Sequence, residues 1–205
     1  MEKRDLKKEM KNFYGQKPGE PSIVELPEWN YLAIEGQGDP NKSAEYMEAL
    51  NALYPVAYAI KFMVKKAPPE IDFGVMPLEG LWWADDLSSF TESKRDLWKW
   101  RMMILQPGFV TREMYGRAVE DVRRKKNPAA LGKLRFEPYR EGLCAQILHV
   151  GPFTEEPATI RKLHDFITAQ GYRNRDYHHE IYLTDIRRTI PAKWKTIIRQ
   201  PMDKI

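Results

Sequence analysis

Two stretches of this chain carry the same strand pattern at corresponding points of two similar halves. Glu180-Ile181-Tyr182-Leu183-Thr184-Asp185 alternates in character, with Ile181 and Leu183 toward one face and Glu180 and Tyr182 toward the other. Gly80-Leu81-Trp82-Trp83-Ala84-Asp85 aligns with it position by position: Leu81 with Ile181, Trp82 with Tyr182, Asp85 with Asp185. A repeated strand unit of this size cannot bury its own sheet. The pattern therefore predicts two units joined side by side in one sheet.

Other matches fall in the same order. Ala33-Ile34-Glu35-Gly36-Gln37-Gly38 lies over Gln146-Ile147-Leu148-His149-Val150-Gly151, and Gln106-Pro107 matches Gln200-Pro201. In the first half a strand is expected at 29–35. A helix capped by Ser43 follows, with Tyr46, Leu50, Leu53, Ala57, Ile60 and Val64 at helical spacing. Pro55 should kink or split it, and Pro68-Pro69 should end it. Strand character resumes at 72–76 and, past Pro77, at 80–84. A polar loop over 85–96 leads to a strong strand at 97–106, with Trp98, Trp100, Met102 and Ile104 on one face.

A helix capped by Thr111 and ending in the Arg123–Lys126 cluster connects the halves. The second half then shows a strand at 143–150, a helix at 154–170 with Pro157 in its first turn, and strands at 177–184 and 194–200. Pro201 should stop the last strand. A short basic helix is expected at 3–13. The predicted fold class is α+β: tandem strand–helix–strand–strand modules with pseudo-twofold symmetry. They form one antiparallel sheet with helices on one face and a ligand cleft on the other. The divisions are an N-terminal extension (1–25), a first module (26–107), a connecting helix (108–138) and a second module (139–205).

Bulk properties exclude several classes. Hydrophobic residues make up 42% and charged residues 30% of the 205, ordinary for a soluble globular protein. No apolar run approaches the ~18 residues of a membrane span. Met1-Glu2-Lys3-Arg4-Asp5-Leu6 has no signal-peptide core, so a cytoplasmic location is expected. The single cysteine, Cys144, lies in an apolar strand pattern and reads as a small buried residue. A net charge of +4 is mild, and no recognition helix or zinc spacing points to nucleic acid.

The face opposite the expected helices carries Trp82, Trp100, Met102, Glu180 and Tyr182, unusually aromatic for a sheet face left to solvent. A carboxylate walled by rings is partly desolvated, which suits Glu180 to acid–base work or to holding a cationic ligand. The plainer reading pairs Glu180 with Arg101 or Arg199. Trp82 and Tyr182 could sandwich a planar ligand, with Tyr58 and Tyr139 closing a cage; ordinary packing is the alternative. Trp83 reads as core. His178 and His179 face opposite ways in a strand, and neither they nor His149 and His164 show metal-ligand spacing. The glycines of Gly36-Gln37-Gly38 mark a turn, and Asp85-Asp86 a solvated pair. No metal and no cofactor are expected.

These residues resemble the GyrI-like small-molecule-binding proteins. The likeness rests on Tyr31-Leu32-Ala33-Ile34-Glu35-Gly36, Gly38-Asp39-Pro40, Pro77-Leu78-Glu79-Gly80-Leu81-Trp82-Trp83, Trp98-Lys99-Trp100, Gln106-Pro107 and Glu180–Asp185 followed by Arg187-Arg188. The Leu-Glu-Gly-Leu-Trp-Trp and Trp-Lys-Trp stretches look like a stand-alone branch. Some of its members hydrolyse cyclopropane-bearing DNA-alkylating natural products. The resemblance implies a ligand-contacting glutamate at Glu180 and an aromatic cage at Trp82, Trp100 and Tyr182. It also implies a detoxifying function toward planar aromatic compounds. The family domain is often fused to a helix-turn-helix, for which residues 1–25 are too short, and Ile186 stands where the family usually has proline. Hydrolysis, drug sequestration without chemistry, and binding of a protein partner such as a topoisomerase stay open at this level.

Overall fold

The computed structural model describes residues 2–85 and 92–205; Asp86 and much of the expected polar loop lie outside them. After an N-terminal segment, the order of elements is strand, helix, short strand, strand, strand, and then the same again past a connecting helix. The short strands are additions to the expected module. Mixed α and β structure with antiparallel ladders is thus present. The chain divides into two compact units. One comprises Met1–Leu6, Trp29–Met76 and Trp82–Tyr139; the other comprises Lys7–Glu28, Pro77–Leu81 and Arg140–Ile205.

In the first unit, β1 (Glu2–Arg4) pairs in parallel with β3 (Ile71–Phe73). The expected basic helix at 3–13 is replaced by β1 and two single-turn helices, α1 (Leu6–Glu9) and α2 (Lys11–Tyr14). The strand β4 (Leu78–Trp83) follows β3, and β2 (Ser22–Gln37) pairs antiparallel with β5 (Lys99–Gln106), from Asn30 opposite Gln106 to Gln37 opposite Lys99.

The helix α3 (Ala44–Lys66) starts at Ser43, whose side chain accepts from the Tyr46 N–H. It runs through Pro55 as one helix. Proline removes one backbone donor, but Ala52, Leu53, Val56 and Ala57 on either side are buried and keep the turn packed. The connecting helix α4 (Arg112–Lys125) is capped by Thr111 and packs on α3. Its terminal Arg123, Arg124 and Lys125 pair with Glu120 and Asp121 of the preceding turn.

The second unit is organised around β9 (Lys195–Lys204). It pairs antiparallel with β6 (Arg135–Val150), with β8 (His178–Tyr182) and with the short β7 (Tyr172–Asn174). β9 does not stop at Pro201. That residue sits opposite Cys144, and its carbonyl still accepts from the Arg175 N–H at 2.8 Å, so only a donor is lost. The helix α5 (Glu156–Ala169) has proline in its first turn and lays Leu163 and Ile167 onto Ala145, Ile147, Ile198 and Met202. Cys144 is buried, and burial pushes its thiol pKa up, which keeps it inert.

Candidate functional site

Strand alternation places His178, Glu180 and Tyr182 on one face of β8. The Tyr182 hydroxyl donates to Glu180 Oε2 at 2.7 Å, and His178 Nε2 lies 3.0 Å from Oε1. A carboxylate only accepts, so His178 carries its proton on Nε2. The Glu180 side chain is 16% exposed. Burial alone would raise its pKa, but the hydrogen bonds and charge of His178, with the Tyr182 hydroxyl, outweigh it and hold Glu180 below the ordinary carboxylate value. Neither arginine considered from the sequence is its partner. Arg101 bonds Glu35, and Arg199 bonds Glu141 and Gln146.

A second carboxyl stands beside it. Glu156, at the start of α5, lies near enough to Glu180 to feel its charge. It is 4% exposed, and its Oε1 has no hydrogen-bond partner among the described residues. Burial first, and the adjacent Glu180 charge second, push its pKa up to about 9. At neutral pH the pair is therefore one carboxylate and one carboxylic acid, the division that acid–base chemistry uses. Sequence reading missed Glu156, because an acid in a first helical turn reads as a complement to the helix dipole. Phe153 completes the neighbourhood, edge-on to Tyr182 at 6.0 Å and against Trp194 at 4.9 Å.

The other face of β8 is a buried ion network. His179 Nδ1 is 2.8 Å from Glu141 Oε1, and Nε2 is 3.0 Å from Glu79 Oε2. Arg199 reaches Glu141 Oε2 at 3.3 Å, Gln146 Oε1 at 3.0 Å and the Phe13 carbonyl at 3.0 Å. Tyr14 donates to Glu79 at 2.7 Å, and Gln146 donates to the Asn12 carbonyl at 3.0 Å. Burial would neutralise His179, yet Glu141 and then Glu79 raise its pKa; both ring nitrogens donate as an imidazolium. Burial likewise opposes the Glu141 charge, and His179 and Arg199 overcome it, lowering its pKa. The network ties β6, β8, β9 and the 12–14 segment together, which fixes the pleat that turns Glu180 the other way.

The remaining candidates lie in the first unit. Tyr46 of α3 stacks on Trp82 at 6.2 Å and meets Trp100 edge-on at 5.3 Å; Trp98 meets Trp82 edge-on at 6.1 Å. Trp82 is buried and Trp83 only half-buried, the reverse of the expected order. Trp100 and Met102 are fully buried, so the face of β5 expected to stay uncovered is covered. The reason is a helix: Tyr46 reaches across Trp100, and Gly36 lets the indole sit directly on the β2 backbone. Tyr58 is exposed and stacks with Phe62, while Tyr139 packs edge-on to Tyr31.

The sequence profile of the GyrI-like small molecule binding domain matches residues 19–202. The chain belongs to this family. Solved structures similar to this GyrI-like chain include an uncharacterized conserved protein from Listeria innocua, at 40% identity and a TM-score of 0.89, covering 97% of this chain and 99% of that one. A hydrolase from Listeria innocua is also 40% identical, with a TM-score of 0.88 and coverage of 98% and 100%. The C-terminal domain of EcmrR shares the fold, at 14% identity and a TM-score of 0.55 over 91% and 98%. No curated protein matches the chain. Among the described residues no helix is long and apolar enough to cross a membrane.

Proposed function

We propose that this GyrI-like protein binds planar aromatic xenobiotics and hydrolyses strained electrophiles such as cyclopropane-bearing DNA alkylators. The observation that carries the reading is Glu180, a half-buried carboxylate held in the charged form by His178 and by Tyr182, whose ring meets Phe153. A fixed anion of this kind activates water, and the rings orient a flat substrate; the strain already stored in a cyclopropane leaves positioning as the main task. The family membership supports small-molecule binding, and the 40% identical Listeria innocua hydrolase supports the chemistry. Tyr182, beside Glu180 and edge-on to Phe153, is proposed as the ring contact. Trp100 and Met102 are fully buried, and Trp100 braces Tyr46, which stacks on Trp82.

The test is to incubate the protein with a planar cyclopropane-bearing alkylator and follow ring opening by mass spectrometry. Glu180→Gln is expected to lose about 100-fold or more in rate. No rate above buffer for the unaltered protein sinks the hydrolytic reading. A second reading is sequestration without chemistry. It is favoured by the fact that both Glu180 oxygens already accept hydrogen bonds, which suits a fixed counter-charge for a cationic planar ligand. It predicts saturable quenching of tryptophan fluorescence, with the ligand recovered unchanged.

A further inference from the structure

We infer that the outer face of α3 is a self-association surface, on which two copies of this chain pair antiparallel about a two-fold axis. The inference goes beyond the hydrolytic reading and does not depend on it. It starts from a helix face that packing leaves open. α3 buries Leu53, Val56, Ile60 and Val64 on its inner side. On its outer side Met47, Tyr58 and Phe62 stay 53%, 47% and 49% exposed, and Tyr54 is half-buried. At 3.6 residues per turn these four lie within an arc of about 80°. Asn51, exposed on the same arc, adds a polar side chain to it. The Tyr58 and Phe62 rings are already stacked, with centroids 6.4 Å apart. Large apolar side chains gathered on one stripe differ from singly scattered ones, and aromatic anchors of this kind occupy interface centres.

Charge identifies the occupant. Glu45 is bound by Lys133, and Lys61 and Lys65 share Asp72. Glu48 and Lys66 are both exposed and form no ion pair among the described residues. Five helical turns separate them, so they stand on one edge of the stripe, about 27 Å apart. A two-fold axis perpendicular to the helix sets each edge against the same edge of the other copy and reverses its direction. Glu48 of each copy then meets Lys66 of the other, once at each end. The same register places the two Tyr58 rings side by side at the axis and Phe62 of each copy beside Tyr54 of the other. A parallel pair would set Glu48 on Glu48 and Lys66 on Lys66, and is repelled. An anionic membrane would attract one end of the stripe and repel the other. A second copy answers both ends.

The size of the contact sets its strength. From Met47 to Phe62 the helix rises about 22 Å and is about 10 Å wide. One such helix pair falls at the low end of specific interfaces, below about 1,200 Å² in total. The dimer is therefore weak, with half-association at roughly tens of micromolar protein.

The experiment is sedimentation equilibrium over about 5 to 500 μM protein, a range that brackets the weak association expected of so small a contact. The unaltered chain should pass from monomer to dimer mass. Tyr58→Glu places a charge at the axis and should weaken association by at least about 10-fold. Glu48→Lys and Lys66→Glu should each weaken it by about 3-fold or more, and the double variant Glu48→Lys with Lys66→Glu should restore it. These two charges are exposed, so the swap decides the matter if Tyr58→Glu does not fold. A chain that stays monomeric throughout overturns the inference. So does a dimer that Tyr58→Glu leaves unchanged, which would lie on another surface, or a double variant no tighter than the single ones. A monomer in which Tyr58→Glu abolishes quenching by a planar aromatic probe also overturns it and gives the stripe to the ligand instead.

Discussion

Tyr182 and Glu180 share one face of β8 and are joined by a 2.7 Å hydrogen bond in which the phenol donates to the carboxylate. The bond gives the strand's alternation a chemical consequence, because it helps keep a half-buried carboxylate ionised. Tyr182→Phe preserves the ring and removes the donor, so the Glu180 pKa should rise. A carboxylate with a depressed folded pKa stabilises above its unfolded value, and that contribution is lost as pH falls through the folded value. Tyr182→Phe is expected to cost about 1.5–3 kcal/mol at pH 7, in the range of hydrogen bonds to charged groups. The cost should shrink in acid, where both forms of the protein carry protonated Glu180. Urea denaturation at neutral and acidic pH measures it; an equal cost at both values refutes the account.

The network around His179 gives a second pH signature. His179 has a raised folded pKa, so its contribution is complete below its ordinary 6.5 and fades as pH rises through the folded value. Glu141 has a lowered one, so its contribution is complete above its ordinary 4.5 and fades as pH falls through the folded value. Both are complete between 4.5 and 6.5. Glu141→Gln leaves His179 and Arg199 without a buried countercharge, and is expected to destabilise by about 3–5 kcal/mol. The loss should be greatest inside that window, as read by chemical denaturation across pH.

Gly36 is fixed by Trp100. A Cβ on Gly36 would stand 2.3 Å from the indole Cη2, and Trp100 is fully buried and has no room to retreat. Gly36→Ala is therefore expected to destabilise by about 1–3 kcal/mol through overpacking. Thermal melting gives the cost, and a change in tryptophan emission locates it.

Ser43 caps the turn that carries Tyr46. Ser43→Ala should cost about 1 kcal/mol. It should also loosen Tyr46 on Trp82 and Trp100, seen as a faster exchange of the first α3 amides than in the unaltered protein. Unchanged exchange with full stability removes the cap from the account.

Much of this protein was determined by local sequence. A period of two put Glu180 and Tyr182 together and sent His179 the other way, because successive side chains on a strand point to opposite faces. Ser43 and Thr111 began their helices because their side chains satisfy donors that the helix leaves open. The rest depended on which distant segments meet. Glu156 became a buried acid only when the first turn of α5 came to rest beside β8, and no local pattern records that contact. Trp100 became core because Tyr46 crosses it, and β9 continued past Pro201 because Arg175 and Cys144 supply its edges. His179 is charged only because Glu79 and Glu141, far from it in the chain, are brought to its two nitrogens. Local pattern sets the direction in which a side chain points. Burial and charge depend on what packs against it, and that is a property of the tertiary structure.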